Sequence, residues 1–185
     1  MIDWNLAVQT GTRLLRPGPQ VGHEEARAVV EQLRELSRDA QGHVRDFTGM
    51  RAAEDPEPAT IVDRPGWIRA NVDGFRVVLE PLMEQMAERR GPGLLGGGAG
   101  GVVVQAVGSR VTGMQVGAIL AYMAGRVLGQ YELFLPPDPS GAAPTGRLTL
   151  VAPNIVHAER ELDVDPHDFR LWVCLHEETH RVQFT

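Results

Sequence analysis

The chain has 185 residues, 43% of them apolar, which is enough to bury one sizeable core and argues for a folded domain, or a large part of one, over disorder. A formal net charge of −6 leaves no broad basic surface to neutralise phosphates, so nucleic acid and membrane are set aside as partners. All 18 basic residues are arginine, which excludes lysine Schiff-base and P-loop chemistry.

The opening Met1-Ile2-Asp3-Trp4 shows neither a basic leader nor a long apolar run, and the single Cys174 has no internal disulfide partner. A cytoplasmic protein is expected. The longest strongly apolar stretch, around Ala118–Ala124, is far shorter than the ~18–20 residues that span a bilayer. From Asp3 to Leu15, Trp4, Ala7, Val8, Gly11, Leu14 and Leu15 recur at helical spacing until Arg16-Pro17-Gly18-Pro19 breaks the pattern. A second amphipathic helix is predicted over His23–Ala40, followed by a loop over Phe47–Pro58. Asp63-Arg64-Pro65-Gly66 then looks like a helix start leading into Trp67–Arg90, with Pro81 expected to kink or split it.

The glycine-rich Gly91–Gly101 formally contains GxGxxG through Gly96, Gly98 and Gly101. It follows a Pro-Gly turn, and no acidic residue appears before Glu132, so a connector is the better reading than a dinucleotide fingerprint. Val102–Gly129, apolar and rich in small residues, predicts one or two buried helices. Beyond Gln130 the spacing shortens, and Tyr131–Leu135 and Arg147–Ala152 are expected to be strands of one sheet. Asn154–Leu162 reads as irregular. Asp165-Pro166-His167-Asp168 then supplies a capping aspartate and a first-turn proline, so a helix is predicted over Pro166–Val182.

That last helix carries His176-Glu177-Glu178-Thr179-His180. Residues four apart differ by ~40° around a helix axis, so both imidazoles point to one spot. Phe169, Trp172 and Val173 extend their stripe, and Leu171, Cys174 and Leu175 make the preceding turn apolar all round, so the histidine face is expected to look inward. Buried polar groups need partners, and a divalent metal such as Zn2+ accepts two imidazole nitrogens at this spacing. His176 and His180 are thus the candidate metal ligands. Glu177, ~100° from His176, could reach a nearby water as general base without ligating. Glu178 is expected to pair with an arginine such as Arg181. His157 and Glu159 could line the cleft from upstream, against the plainer reading of a surface loop. His23, His43 and His167 read as solvated or capping residues, and Cys174 as a small buried apolar side chain.

The stretch Asp165–Thr185, together with the opening Ile2-Asp3-Trp4 to Ala7, resembles a mainly actinobacterial zincin-like metallopeptidase family. Its members are labelled as hydrolases or as associated with deazaflavin-coenzyme biosynthesis. The resemblance spans essentially the whole chain and implies a predominantly helical α+β, zincin-like fold with a small sheet beside the metal-binding helix. It also implies zinc bound by His176 and His180, Glu177 as catalytic base, and hydrolysis of a peptide or amide substrate. Zincins take a third ligand from downstream. Residues 1–185 are accordingly expected to form the N-terminal part of one such domain, with a missing C-terminal region supplying that ligand. An inactive binding scaffold, an incomplete fragment and a helical domain with a fortuitous motif remain the alternatives. A strand near Leu148–Ala152 is expected to edge the cleft above the metal helix.

Overall fold

The computed structural model describes residues 2–51, 57–90, 99–136 and 146–184. Six helices and three strands follow in the order α1 (Trp4–Leu14), α2 (His23–Thr48), β1 (Thr60–Val62), α3 (Arg64–Arg90), α4 (Ala99–Ala124), β2 (Gly129–Glu132), β3 (Arg147–Val151), α5 (Ala152–Leu162) and α6 (Pro166–Phe184). The protein is therefore predominantly helical with a small sheet. None of the described helices is long and apolar enough to cross a membrane.

The sheet order is β1-β3-β2, with β1 parallel and β2 antiparallel to β3. A central strand is covered on both faces. Leu148 and Leu150 enter one core with Val29, Leu33, Leu36 and Ala40 of α2, Ile155 of α5 and Val173 and Cys174 of α6. Val151 enters a second core with Trp4, Trp67, Ile68, Val72, Leu120 and Ala124 from α1, α3 and α4. The sheet thus separates a layer of α2, α5 and α6 from a layer of α1, α3 and α4.

Several sequence expectations change here. β3 lies in the middle of the sheet, because β1 adds to its far side, so β2 is the edge beside α6. α2 runs on to Thr48 and ends at Gly49, whose φ of 71° is the left-handed conformation that closes a helix. α3 continues through Pro81 as one helix. Asn154–Leu162 belongs to helix α5, with Pro153 in its first turn and Asp163 at φ 51° ending it. Residues 91–98 of the glycine-rich tract lie outside the described residues, and 99–101 begin α4.

α4 is buried along one side only. Cβ atoms added at Gly113 or Gly117 would collide with the backbone carbonyls of Asp3 or Ala7, so these glycines let α1 approach closely. The opposite side leaves Val107, Met114, Ile119 and Tyr122 exposed. The small residues mark one close helix contact, while the described part of the helix is buried on that side only.

Candidate metal centre

α6 begins as the sequence requires. Asp165 Oδ1 accepts the backbone N–H groups of His167 and Asp168 at 2.9 and 3.1 Å, capping the first turn. Val173 and Cys174 anchor the helix in the core against α2, and β2 flanks its later turns.

This anchoring turns the histidine stripe outward. Trp172 is 55% exposed, His176 is exposed and His180 half-buried, whereas Glu177 is 6% and Glu178 1% exposed. The expectation of an inward histidine face is therefore reversed: the carboxylates take the buried side. Of the extended stripe, Val173 alone is fully buried, with Phe169 intermediate. Phe169, Trp172, His176, His180 and Phe184 form a continuous ridge of rings, with centroid separations of 5.9, 5.6, 4.8 and 6.2 Å in that order.

Within the ridge, the His176 and His180 rings are neighbours set at 84° to one another. His180 Nδ1 lies 3.3 Å from Gln183 Oε1. An amide oxygen only accepts, so this contact selects the Nδ1–H tautomer and leaves Nε2 with its lone pair outward, the form a metal ligand needs.

Glu177 projects to the other side of His180, against β2. A Cβ at Gly129 would stand 2.8 Å from both Glu177 Cγ and Cδ and 2.9 Å from Leu150 Cδ2, so a side chain there would push the carboxylate aside. Among the described residues it makes no hydrogen bond. Burial raises its pKa above the ordinary carboxylate range, and the neighbouring His180 pulls it part of the way back.

At the next residue, the Glu178 carboxylate lies 3.4 Å from Arg181 Nε in a wholly buried i,i+3 pair, the arginine partner the sequence suggested. Burial raises the Glu178 pKa and Arg181 opposes it. Tyr131 of β2 stands in the field of the same pair, its phenol held upward chiefly by burial. Cys174 is fully buried and its thiol is pushed up to about 12 by burial and by the two glutamates, which suits an inert core residue.

The upstream candidates are placed elsewhere. Glu159 is 5% exposed and accepts both arms of the Arg170 guanidinium, at 2.9 and 2.5 Å, so its oxygens are committed to a buried ion pair. His157 faces a different groove, which no α6 residue lines. His23, His43 and His167 are exposed. Among the described residues, the three-donor cluster of metal-ligand type is Asp165, His167 and Asp168, all exposed, and Asp165 is already occupied as the helix cap. No third side chain of that kind joins His176 and His180 there.

Sequence reasoning missed the polar lattice on β2. Gln130 accepts from Trp67 Nε1 at 2.8 Å and donates to Glu132 at 2.7 Å, and Glu132 pairs with Arg147. This lattice ties α3 to the sheet beside a groove of about 510 Å³ along the β2 edge, lined by Phe75, Val78, Tyr131 and Phe134 among others. The residues come from separated stretches, and no local spacing signals their meeting.

The donor set suits zinc: two imidazoles on one open face, one with its tautomer fixed, beside an uncommitted carboxylate in a cradle that a Cβ would fill. A search of curated proteins returns no match. A solved structure of a candidate hydrolase with a novel fold, from Chloroflexus aurantiacus, is similar to the chain at 31% identity and a TM-score of 0.68. The similarity covers 100% of this chain and 53% of that one, so the chain spans about half the length of the structure it matches. The family profile of zincin-like metallopeptidases matches residues 2–185, virtually the whole sequence, and the chain belongs to that family.

Proposed function

We propose that the chain is the zinc-binding part of a hydrolase that cleaves a peptide or amide bond, with His176 and His180 as metal ligands and Glu177 as general base. The observation that carries this reading is the pairing of two adjacent imidazoles, 4.8 Å apart, with a buried carboxylate that makes no hydrogen bond among the described residues. When bound, zinc supplies Lewis acidity that makes a water molecule acidic enough to be deprotonated near neutral pH. Glu177 accepts that proton on its carboxylate, and burial, by raising its pKa, brings it nearer the range in which a base both takes up and releases protons. Gln183 holds His180 in the ligating tautomer. Gly129 keeps the base in place from the β2 side. An extended substrate would add along the β2 edge, whose outer side pairs with no other described strand.

Family membership and the resemblance to a candidate hydrolase support this assignment. Catalytic zinc sites use three protein ligands and water, and two are present among the described residues. We place the third ligand outside them and expect these residues by themselves to hold zinc weakly and hydrolyse poorly. That same observation favours a second reading, a zincin-like scaffold used for binding. Hydrolysis of a mixed peptide pool by the zinc-loaded protein separates the two. Under the first reading, Glu177→Gln lowers the rate by about 10²–10⁴-fold while zinc is retained. Retained zinc with no hydrolysis by the unmodified protein supports the scaffold.

A further inference from the structure

A groove of about 710 Å³, lined by no residue of α6, opens between the segment after α1, the end of α4 and α5. Arg16, Arg64, Arg126 and His157 line it, Leu14 and Tyr122 give it an apolar wall, and no aspartate or glutamate is among its described lining residues. A carboxylate-free cluster of cations is against the grain of a chain whose net charge is −6.

Arg64 is the built part of the groove. It is only 7% exposed, and neutral groups hold it: Nε donates to Asn154 Oδ1 at 2.6 Å, and Nη1 donates to the carbonyls of Arg16 and Pro17, each at 3.0 Å. Asn154 is fixed in turn, donating to the carbonyls of Ala124 and Val127 at 2.8 and 2.6 Å. The guanidinium is therefore oriented by dipoles, its charge has no counter-ion among the described residues, and burial pushes its pKa down. Burying a cation this way is costly unless an anion joins it.

The other two arginines also pair with no carboxylate among the described residues. Arg126 donates to the Tyr122 carbonyl at 2.8 Å, and its guanidinium carbon lies 3.8 Å from the centre of the Tyr122 ring, which stiffens it on the apolar wall. Arg16 makes no side-chain ion pair among the described residues.

We propose that this groove binds a small organic oxyanion, its phosphate or carboxylate head held by Arg16, Arg64 and Arg126 and its apolar body lying against Tyr122 and Leu14. Guanidinium groups match the planar, two-oxygen face that both heads present. The site shares no residue with α6, so it stands whether or not the metal assignment does.

Calorimetric titration of the intact chain with phenyl phosphate and with benzoate at low salt tests the proposal, alongside an Arg16→Gln, Arg126→Gln double variant. Both replaced side chains are exposed, so the thermal midpoint should stay within a few degrees of the unmodified chain. The expected result is saturable 1:1 binding of at least one probe, weakened at least about tenfold in the double variant and unchanged by His176→Ala with His180→Ala. Tighter binding of phenyl phosphate identifies a phosphate head, and tighter binding of benzoate a carboxylate. Saturable binding of neither probe, or affinity that survives the double variant, would overturn it.

Discussion

Two buried glutamates in the same layer of the protein have opposite surroundings. Glu159 of α5 is 5% exposed and meets Arg170 through both oxygens, and Arg170 in turn donates to Gln32 of α2. Glu177 of α6 is 6% exposed, yet it makes no hydrogen bond among the described residues, and the His180 imidazole acts on its charge. The first is a closed network that ties three helices together. The second keeps its capacity to accept a proton, and a protein retains such a buried group at a cost unless it is used.

The largest effect should come from opening the closed network. Glu159→Ala leaves Arg170 buried with its charge uncompensated and is expected to lower stability by about 3–5 kcal/mol, read from urea unfolding. Zinc affinity should not change beyond what that loss of stability causes, and His157→Ala, which breaks no ion pair, should leave it untouched. A specific loss of zinc binding in His157→Ala would erase the distinction between the two regions.

A smaller effect is expected at the cradle. Gly129→Ala inserts a methyl 2.8 Å from Glu177 Cγ and Cδ, and overpacking of this kind costs about 1–3 kcal/mol. It should displace the base while leaving both histidines in place, so hydrolysis in the zinc-loaded protein should fall more than zinc affinity does. Equal falls in both would mean that Gly129 serves the fold and not the base.

The smallest effect concerns stability on replacing the base itself. Burial raises the folded-state pKa of Glu177 above its unfolded value of 4.5, so between these two values the folded chain binds more protons than the unfolded one. Its contribution to stability is then present at low pH and lost as pH rises through that window. Glu177→Gln removes this loss. In metal-free protein the variant should gain on the unmodified chain as pH rises above 4.5, as urea midpoints at pH 4 and pH 7 would show. A variant that loses ground over the same interval would mean that the ionised carboxylate has a stabilising partner.

Much of this contrast was legible in the sequence, in specific places. The Asp165 cap, the Pro166 start and the i, i+4 histidines are local signals, and α6 forms where they require. The strand at 147–151 follows from the switch in spacing, whereas its partner lies at 129–132, starting and ending upstream of the expected Tyr131–Leu135. The outward turn of the histidines was not legible, because the turn over Leu171–Leu175 is apolar on every side and so does not say which side meets the core. β1 is three residues long, too short for alternation to show, and its parallel pairing with β3 is a long-range event. Asn154–Leu162 read as irregular, although it belongs to α5, whose first turn holds Pro153, and Asn154 bonds back to α4. The arginine groove was hidden by the net charge, which averages over residues that only the fold collects.

The central claim is that His176 and His180 hold a metal while Glu177 stands beside it without ligating. Cobalt substitution followed by visible absorption, on the unmodified chain and on His176→Ala, His180→Ala and Glu177→Gln, tests this most directly because it reads ligation apart from turnover. The account expects one bound ion with a ligand-field spectrum, abolished in either histidine variant and retained in Glu177→Gln. A spectrum that survives both histidine variants and disappears in His167→Ala, moving the metal to the Asp165, His167 and Asp168 cluster, would contradict it.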